Sequence, residues 1–127
     1  MAFGASYEGQ QIAITLKSAA AITKHEGVTI ASQDDGVCAV VASAGAQVTG
    51  IAQNAASAAG ESVKVAVLGV SLVLAGAAIT KGAALQIDAT GRAIAATTAD
   101  EVCGFALEAA AAAGDAITMV ITYAGIF

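Results

Sequence analysis

The chain has 127 residues, 57% of them hydrophobic but only 12% charged, and a net charge of −5. This length suits one domain, residues 1–127, and excludes two ordinary ones; with only five Lys and Arg no phosphate-binding surface is expected, so nucleic acid is not an expected partner. Alanine, glycine and valine dominate the apolar residues, so each buried side chain gains little and the core is thin, a composition that suits a protein working inside an assembly.

At the N-terminus, Met1-Ala-Phe-Gly has no basic n-region and Ile12–Leu16 is too short for an apolar h-region, so no secretory signal is expected. Residues 1–16 read equally as an arm contacting a neighbour, with Phe3, Tyr7, Ile12 and Ile14 as apolar anchors, or as an edge strand with a frayed end. His25, between Lys24 and Glu26, reads as a solvated turn residue. Short strand candidates follow at Val28–Ile30, Val37–Val41 and Val48–Ala52, with Asp34-Asp35-Gly36 as a turn.

Ala55–Ala59 favours helix by propensity alone. Gly60 closes the run after little more than a turn, and helix nucleation is costly, so a turn or single helical turn is expected. Val63, Val65 and Val67 then alternate with Lys64 and Ala66, the period of a half-buried strand. The uncharged run 65–80 is shorter than the roughly 20 residues of a spanning helix. Gly69 and Gly76 interrupt it, so it reads as buried strands, including Ser71–Leu74, and no membrane partner is expected. Leu85–Ile87, Ala93–Ala96 and Val102–Leu107 are further candidates. The last strand carries Ile117, Met119, Ile121 and Tyr123 against Thr118 and Thr122.

The segment beginning Val48-Thr-Gly-Ile-Ala recurs without gaps as Val102-Cys-Gly-Phe-Ala, placing Gly50 on Gly104, Gly60 on Gly114 and Glu61 on Asp115. A turn-like segment precedes each copy, Asp34-Asp35-Gly36 and Asp88-Ala89-Thr90-Gly91. Two similar halves, about 28–75 and 76–127, are expected. The fold class expected is all-β: a compact β-sandwich or barrel, β-tulip or jelly-roll-like, with at most short helical turns.

Chemistry-bearing patterns fail one by one. A zinc site needs three or four convergent ligands, and the chain has His25 alone with Cys38 and Cys103 far apart, so no metal is expected. Those cysteines read as small buried hydrophobes with free thiols. Gly69-Val70-Ser71-Leu72-Val73 misses the last glycine of a nucleophile elbow. Asp34-Asp35 and Asp100-Glu101 are adjacent pairs, which point apart on a strand, and both read as solvated turns. No calcium loop and no glycine-rich phosphate loop is present. The expectation is a protein without catalytic residues or cofactors.

Ile79-Thr80-Lys81-Gly82, Asp88-Ala89-Thr90-Gly91-Arg92, Gly104-Phe105-Ala106-Leu107-Glu108-Ala109 and Ala113-Gly114-Asp115 follow one another in the order and spacing seen in another group of proteins. In these segments the chain resembles the capsid cement, or head decoration, proteins of tailed bacteriophages. Ser6-Tyr7-Glu8-Gly9 and Glu26-Gly27-Val28 extend the likeness more weakly into the first half. The resemblance implies a virion structural protein, made in the host cytoplasm, that sits on the outer surface of the capsid. It would bridge neighbouring major capsid proteins, as a trimer or dimer with copies of itself. The alternatives are another non-enzymatic virion module, such as a tail or fibre component, or a small ligand-binding β domain.

Overall fold

The computed structural model describes residues 11–30, 37–40, 47–97 and 101–126. Within them there is no helix, and nine strands form one mixed sheet. The strands are β1 (Gln11–Ser18), β2 (Gly27–Ile30), β3 (Val37–Val40), β4 (Gly50–Ala52), β5 (Ser62–Leu74), β6 (Ala84–Ile87), β7 (Ala93–Ala95), β8 (Glu101–Ala106) and β9 (Ala116–Ile126).

Their order across the sheet is β1-β3-β2-β4-β5-β9-β8-β6-β7, and β1 also pairs with β5. That extra pairing closes the first five strands of the order into a ring. A parallel bridge between Ala75 and Ala93 joins the end of β5 to β7 and closes β5, β9, β8, β6 and β7 into a second ring. Of the sandwich or barrel expected, the all-β class is what the chain adopts, but as one mixed sheet that curls on itself and not as two stacked sheets, because β5 is shared by both rings.

Alternation in the sequence accounts for β5. Val63 and Val65 are fully buried while Ser62 and Lys64 are exposed. The two strand candidates Val63–Val67 and Ser71–Leu74 are one continuous strand, because Gly69 supplies a bend and not a break. Its φ of 105° lies in the region that glycine adopts without a Cβ penalty. Gly69 pairs with both Gln11 and Ile121, so the strand passes from one ring to the other at this residue. A register shift beside it, with Ile12 opposite Leu68 and Ala13 opposite Ala66, leaves Val67 as an extra residue. Such a bulge sharpens the local twist.

Each ring has its own apolar core. Leu16, Val28, Cys38, Ala52, Val63 and Val65 pack in the first, with Ile22 and Ala56. Leu85, Ile87 and Met119 are the largest fully buried residues of the second, and Ile51 reaches it from β4 of the first ring. Burying each such side chain contributes roughly 1.5–3 kcal/mol, well above what an alanine supplies.

The alanine runs form no helical turn. Ile22 N–H donates to the Ala56 carbonyl at 2.8 Å and Ala56 N–H returns the bond at 2.9 Å, so the backbone groups a helix would use are taken by a distant segment. Ile79 and Ala110 exchange the corresponding bonds, both at 3.0 Å. The loops between these bridges and the next strands also repeat their geometry. Asn54 Oδ1 accepts the Lys64 N–H at 2.7 Å, and Glu108 Oε1 accepts the Thr118 N–H at 2.7 Å. Glu61 accepts from the Ser57 N–H, and Asp115 from the Ala111 N–H, at 3.1 and 3.0 Å.

Candidate functional site

The acidic groups that could serve chemistry are occupied in turns. Asp88 Oδ1 accepts the Thr90 N–H at 2.8 Å, the Thr90 hydroxyl at 2.7 Å and the Arg92 N–H at 3.0 Å. Partial burial pushes its pKa up, but the Thr90 and Arg92 hydrogen bonds and the Arg92 charge outweigh this and hold it below the usual value. Glu61 is held low by the Ser57 hydroxyl and N–H, the former at 2.6 Å. Glu108 holds the hydroxyl and N–H of the buried Thr118. Glu101, expected in a solvated turn with Asp100, instead opens β8 and pairs with Ile126, because β9 continues far enough to take it into the ladder. Asp34, Asp35 and Asp100 lie outside the described residues.

Ser71 is fully buried in β5, where it accepts from Gln53 Nε2 at 2.9 Å and donates to the Leu72 carbonyl at 2.8 Å. It is a strand residue satisfied by its neighbours. His25 is not the solvated residue expected from its charged neighbours: it is buried, and its backbone is left-handed with φ 69°. Its N–H donates to the Ala52 carbonyl and its carbonyl accepts from the Leu74 N–H, which draws the turn inward between β4 and β5. Among the described residues no group of three or more His, Cys, Asp or Glu is placed to hold a metal ion. No described helix is long and apolar enough to cross a membrane.

Both cysteines are free and buried. Burial pushes both thiols up, Cys103 to about 12. Cys103 lines a cleft of about 80 Å³ with Val48, Thr49, Gly50, Ile51, Val67 and Ile121. Pockets for small molecules run to roughly 300–1,000 Å³, so this cleft has room for a single small side chain or a few waters.

What the described surface does offer is aliphatic. Ile12, Ile14 and Leu16 share one side of β1 by their spacing, and their exposure falls from 59% to 41% to 8%. The row leaves the first core at Leu16 and continues into solvent, where Leu68, 47% exposed, stands opposite Ile12. Ile30, at the end of β2, is 50% exposed. Of the four contact residues suggested by the sequence, Ile12 and Ile14 lie on this row, and Phe3 and Tyr7 lie outside the described residues. Leu68 carries no local signal of this role, because its place beside Ile12 depends on a pairing between strands distant in the chain.

Comparison with known proteins bears on the whole arrangement. No curated protein matches the chain in sequence. In structure it is similar to the N-terminal base of the head fiber protein gp8.5 of bacteriophage phi29, with a TM-score of 0.70 and 22% identity, over 88% of this chain and 94% of that one. That likeness is one of fold. The phage cement protein family matches residues 7–121, a span that includes all nine strands up to the middle of β9. The chain therefore belongs to the phage cement proteins, a family of non-enzymatic structural proteins of the virion.

Proposed function

We propose that this protein binds the outer surface of a tailed-phage capsid and stabilises the shell by bridging neighbouring major capsid proteins. The family match over residues 7–121 carries this reading. A protein that binds the assembled shell and not its free subunits shifts the equilibrium toward the shell. Many symmetry-related copies make the layer multivalent if neighbours also touch, as in a trimer or dimer.

Within this reading the row Ile12, Ile14 and Leu68 is a contact surface, and Phe3 and Tyr7 are further contact residues. Neighbouring large aliphatic residues left exposed in this way form an apolar patch of the kind that marks an interaction surface. The chain is one domain of two similar halves, and the two rings share β5. The repeated bridges Ile22–Ala56 and Ile79–Ala110, and the matched turn bonds of Glu61 and Asp115, support this division. The fold likeness to a head-fiber base supports a second, related reading, in which the domain anchors a longer structure to the head.

The test is co-sedimentation with shells assembled from the cognate major capsid protein. Saturable, stoichiometric binding is expected, weakened by Ile12→Asp and Leu68→Asp. Absence of binding by the unmodified protein to mature shells would overturn the reading.

A further inference from the structure

The chain has twice as many acids as cations, ten against five, yet no acid lies on β1 or β5. Three of the cations have places in the fold's own turns. Lys24 and Lys81 follow the corresponding residues Ile22-Thr23 and Ile79-Thr80, and Arg92 closes the Asp88 turn, where its charge helps hold the carboxylate. The other two, Lys17 and Lys64, are exposed neighbours on the β1–β5 ladder.

Lys17 is opposite Ser62 and Thr15 is opposite Lys64, so the two lysines are diagonal neighbours on one face. Diagonal side chains in an antiparallel pair stand roughly 7–8 Å apart, and like charges at close range repel. Thr15 and Ser62 complete the face, and all four residues are exposed. The nearest acid in sequence, Glu61, has its carboxylate turned to the Ser57 hydroxyl and N–H. Nor does the fold need cations here. In the corresponding ladder of the second ring Leu74 pairs with Ala116 and Leu72 with Thr118, so Leu74 and Thr118 stand where Lys17 and Lys64 do.

From this charge pattern we infer that the Lys17–Lys64 face of the first ring docks an acidic segment of the major capsid protein. The inference rests on the capsid-binding reading above and names the chemistry of the partner it requires. Two cations held on a ladder, with no acid on either strand, form a face complementary to carboxylates. Thr15 and Lys17 alternate with Ile12 and Ile14 along β1, so this face is opposite the aliphatic row and the two faces meet different subunits of the bridged pair. Charges at the edge of an interface act mainly on the rate of encounter and on its salt dependence.

The experiment measures binding to shells of the cognate major capsid protein across a salt series. It compares the unmodified protein with Lys17→Glu/Lys64→Glu and with Lys24→Glu/Lys81→Glu, a double reversal of equal net charge in the turns. Thermal unfolding of each variant checks the fold, and Lys17→Gln/Lys64→Gln substitutes if the reversal unfolds. The β1–β5 pair is expected to weaken binding about tenfold at low salt and flatten the salt dependence, equivalent to about 1.4 kcal/mol. The turn pair is expected to leave both unchanged. Equal binding by all three proteins, or equal weakening by both double variants, overturns the inference. So does a change in self-association without a change in shell binding, which assigns the face to a second copy. Failure of the unmodified protein to bind shells overturns the capsid reading itself.

Discussion

His25 and Gly82 occupy corresponding positions in two strand-entry turns and adopt the same left-handed backbone, with φ of 69° and 86°. The His25 N–H donates to the Ala52 carbonyl at 2.8 Å, and the Gly82 N–H donates to the Ala106 carbonyl at 2.8 Å. Each turn thus ties the start of one strand to the end of the strand that precedes the alanine-rich loop. His25 is the one described non-glycine residue with positive φ.

That relationship predicts a pure backbone effect at Gly82. A Cβ added there meets nothing within 4 Å, so Gly82→Ala tests conformation without packing. The substitution should destabilise the protein by about 1–2 kcal/mol, the cost of a left-handed L-residue. Gly82→Asn should cost less, since Asn tolerates this region. Chemical denaturation of the three proteins checks the order Gly, Asn, Ala.

Gly50 and Gly104 predict the opposite case, where space and not conformation is limiting. A Cβ on Gly50 would collide with the Ala66 carbonyl, and one on Gly104 with the Val120 carbonyl and the Met119 side chain. The obstacle in each is backbone of the adjacent strand, which cannot step aside without breaking the ladder. Gly50→Ala and Gly104→Ala should each cost about 1–3 kcal/mol, the usual range for overpacking. A melting temperature unchanged by either substitution would contradict the close strand approach.

The turn at Asp88 carries a pH dependence with a definite sign. Its folded pKa lies below its unfolded value, so its contribution is present above the unfolded pKa. That contribution is lost as pH falls through the folded value, below the ordinary aspartate value of about 3.9. Glu61 shifts in the same direction through Ser57. Asp88→Asn should remove part of this acid sensitivity and lower stability at pH 7 by about 1 kcal/mol, as for loss of a capping carboxylate. Denaturation midpoints at pH 7 and in the acid range, for wild type and variant, provide the check.

The thiols should be silent in the native protein. Cys103 is pushed up to about 12 by burial and Cys38 is raised by the same cause, so neither supplies thiolate at neutral pH. A thiol reagent at pH 8 should label neither until denaturant is added, and then label both. Reductant should leave the melting temperature unchanged, because there is no disulfide among these cysteines.

Much of this structure is written in local pattern. The alternation around Val63, Val65 and Ile117, Met119, Ile121 marks β5 and β9 because one face of each meets a core. The continuity of β5 is hidden, since glycine within a valine-rich run signals equally a turn or the bend that Gly69 provides. Burial of His25 is hidden for a related reason: Lys24 and Glu26 mark a polar turn, but the direction of that turn is set by bonds to Ala52 and Leu74. At the candidate contact surface, Ile12 and Ile14 could be named from the sequence as apolar residues near the N-terminus. Leu68, Lys17 and Lys64 gain meaning only from the β1–β5 register, which joins segments about fifty residues apart.

Cryo-electron microscopy of cognate capsid shells incubated with this protein decides whether it is a bridging layer on the capsid. Added density is expected on the outer surface, at fixed symmetry-related positions, with residues of the β1–β5 ladder in contact with the shell and each site touching more than one capsid subunit. Shells that remain bare at saturating protein, or density confined to the interior, would contradict a bridging layer.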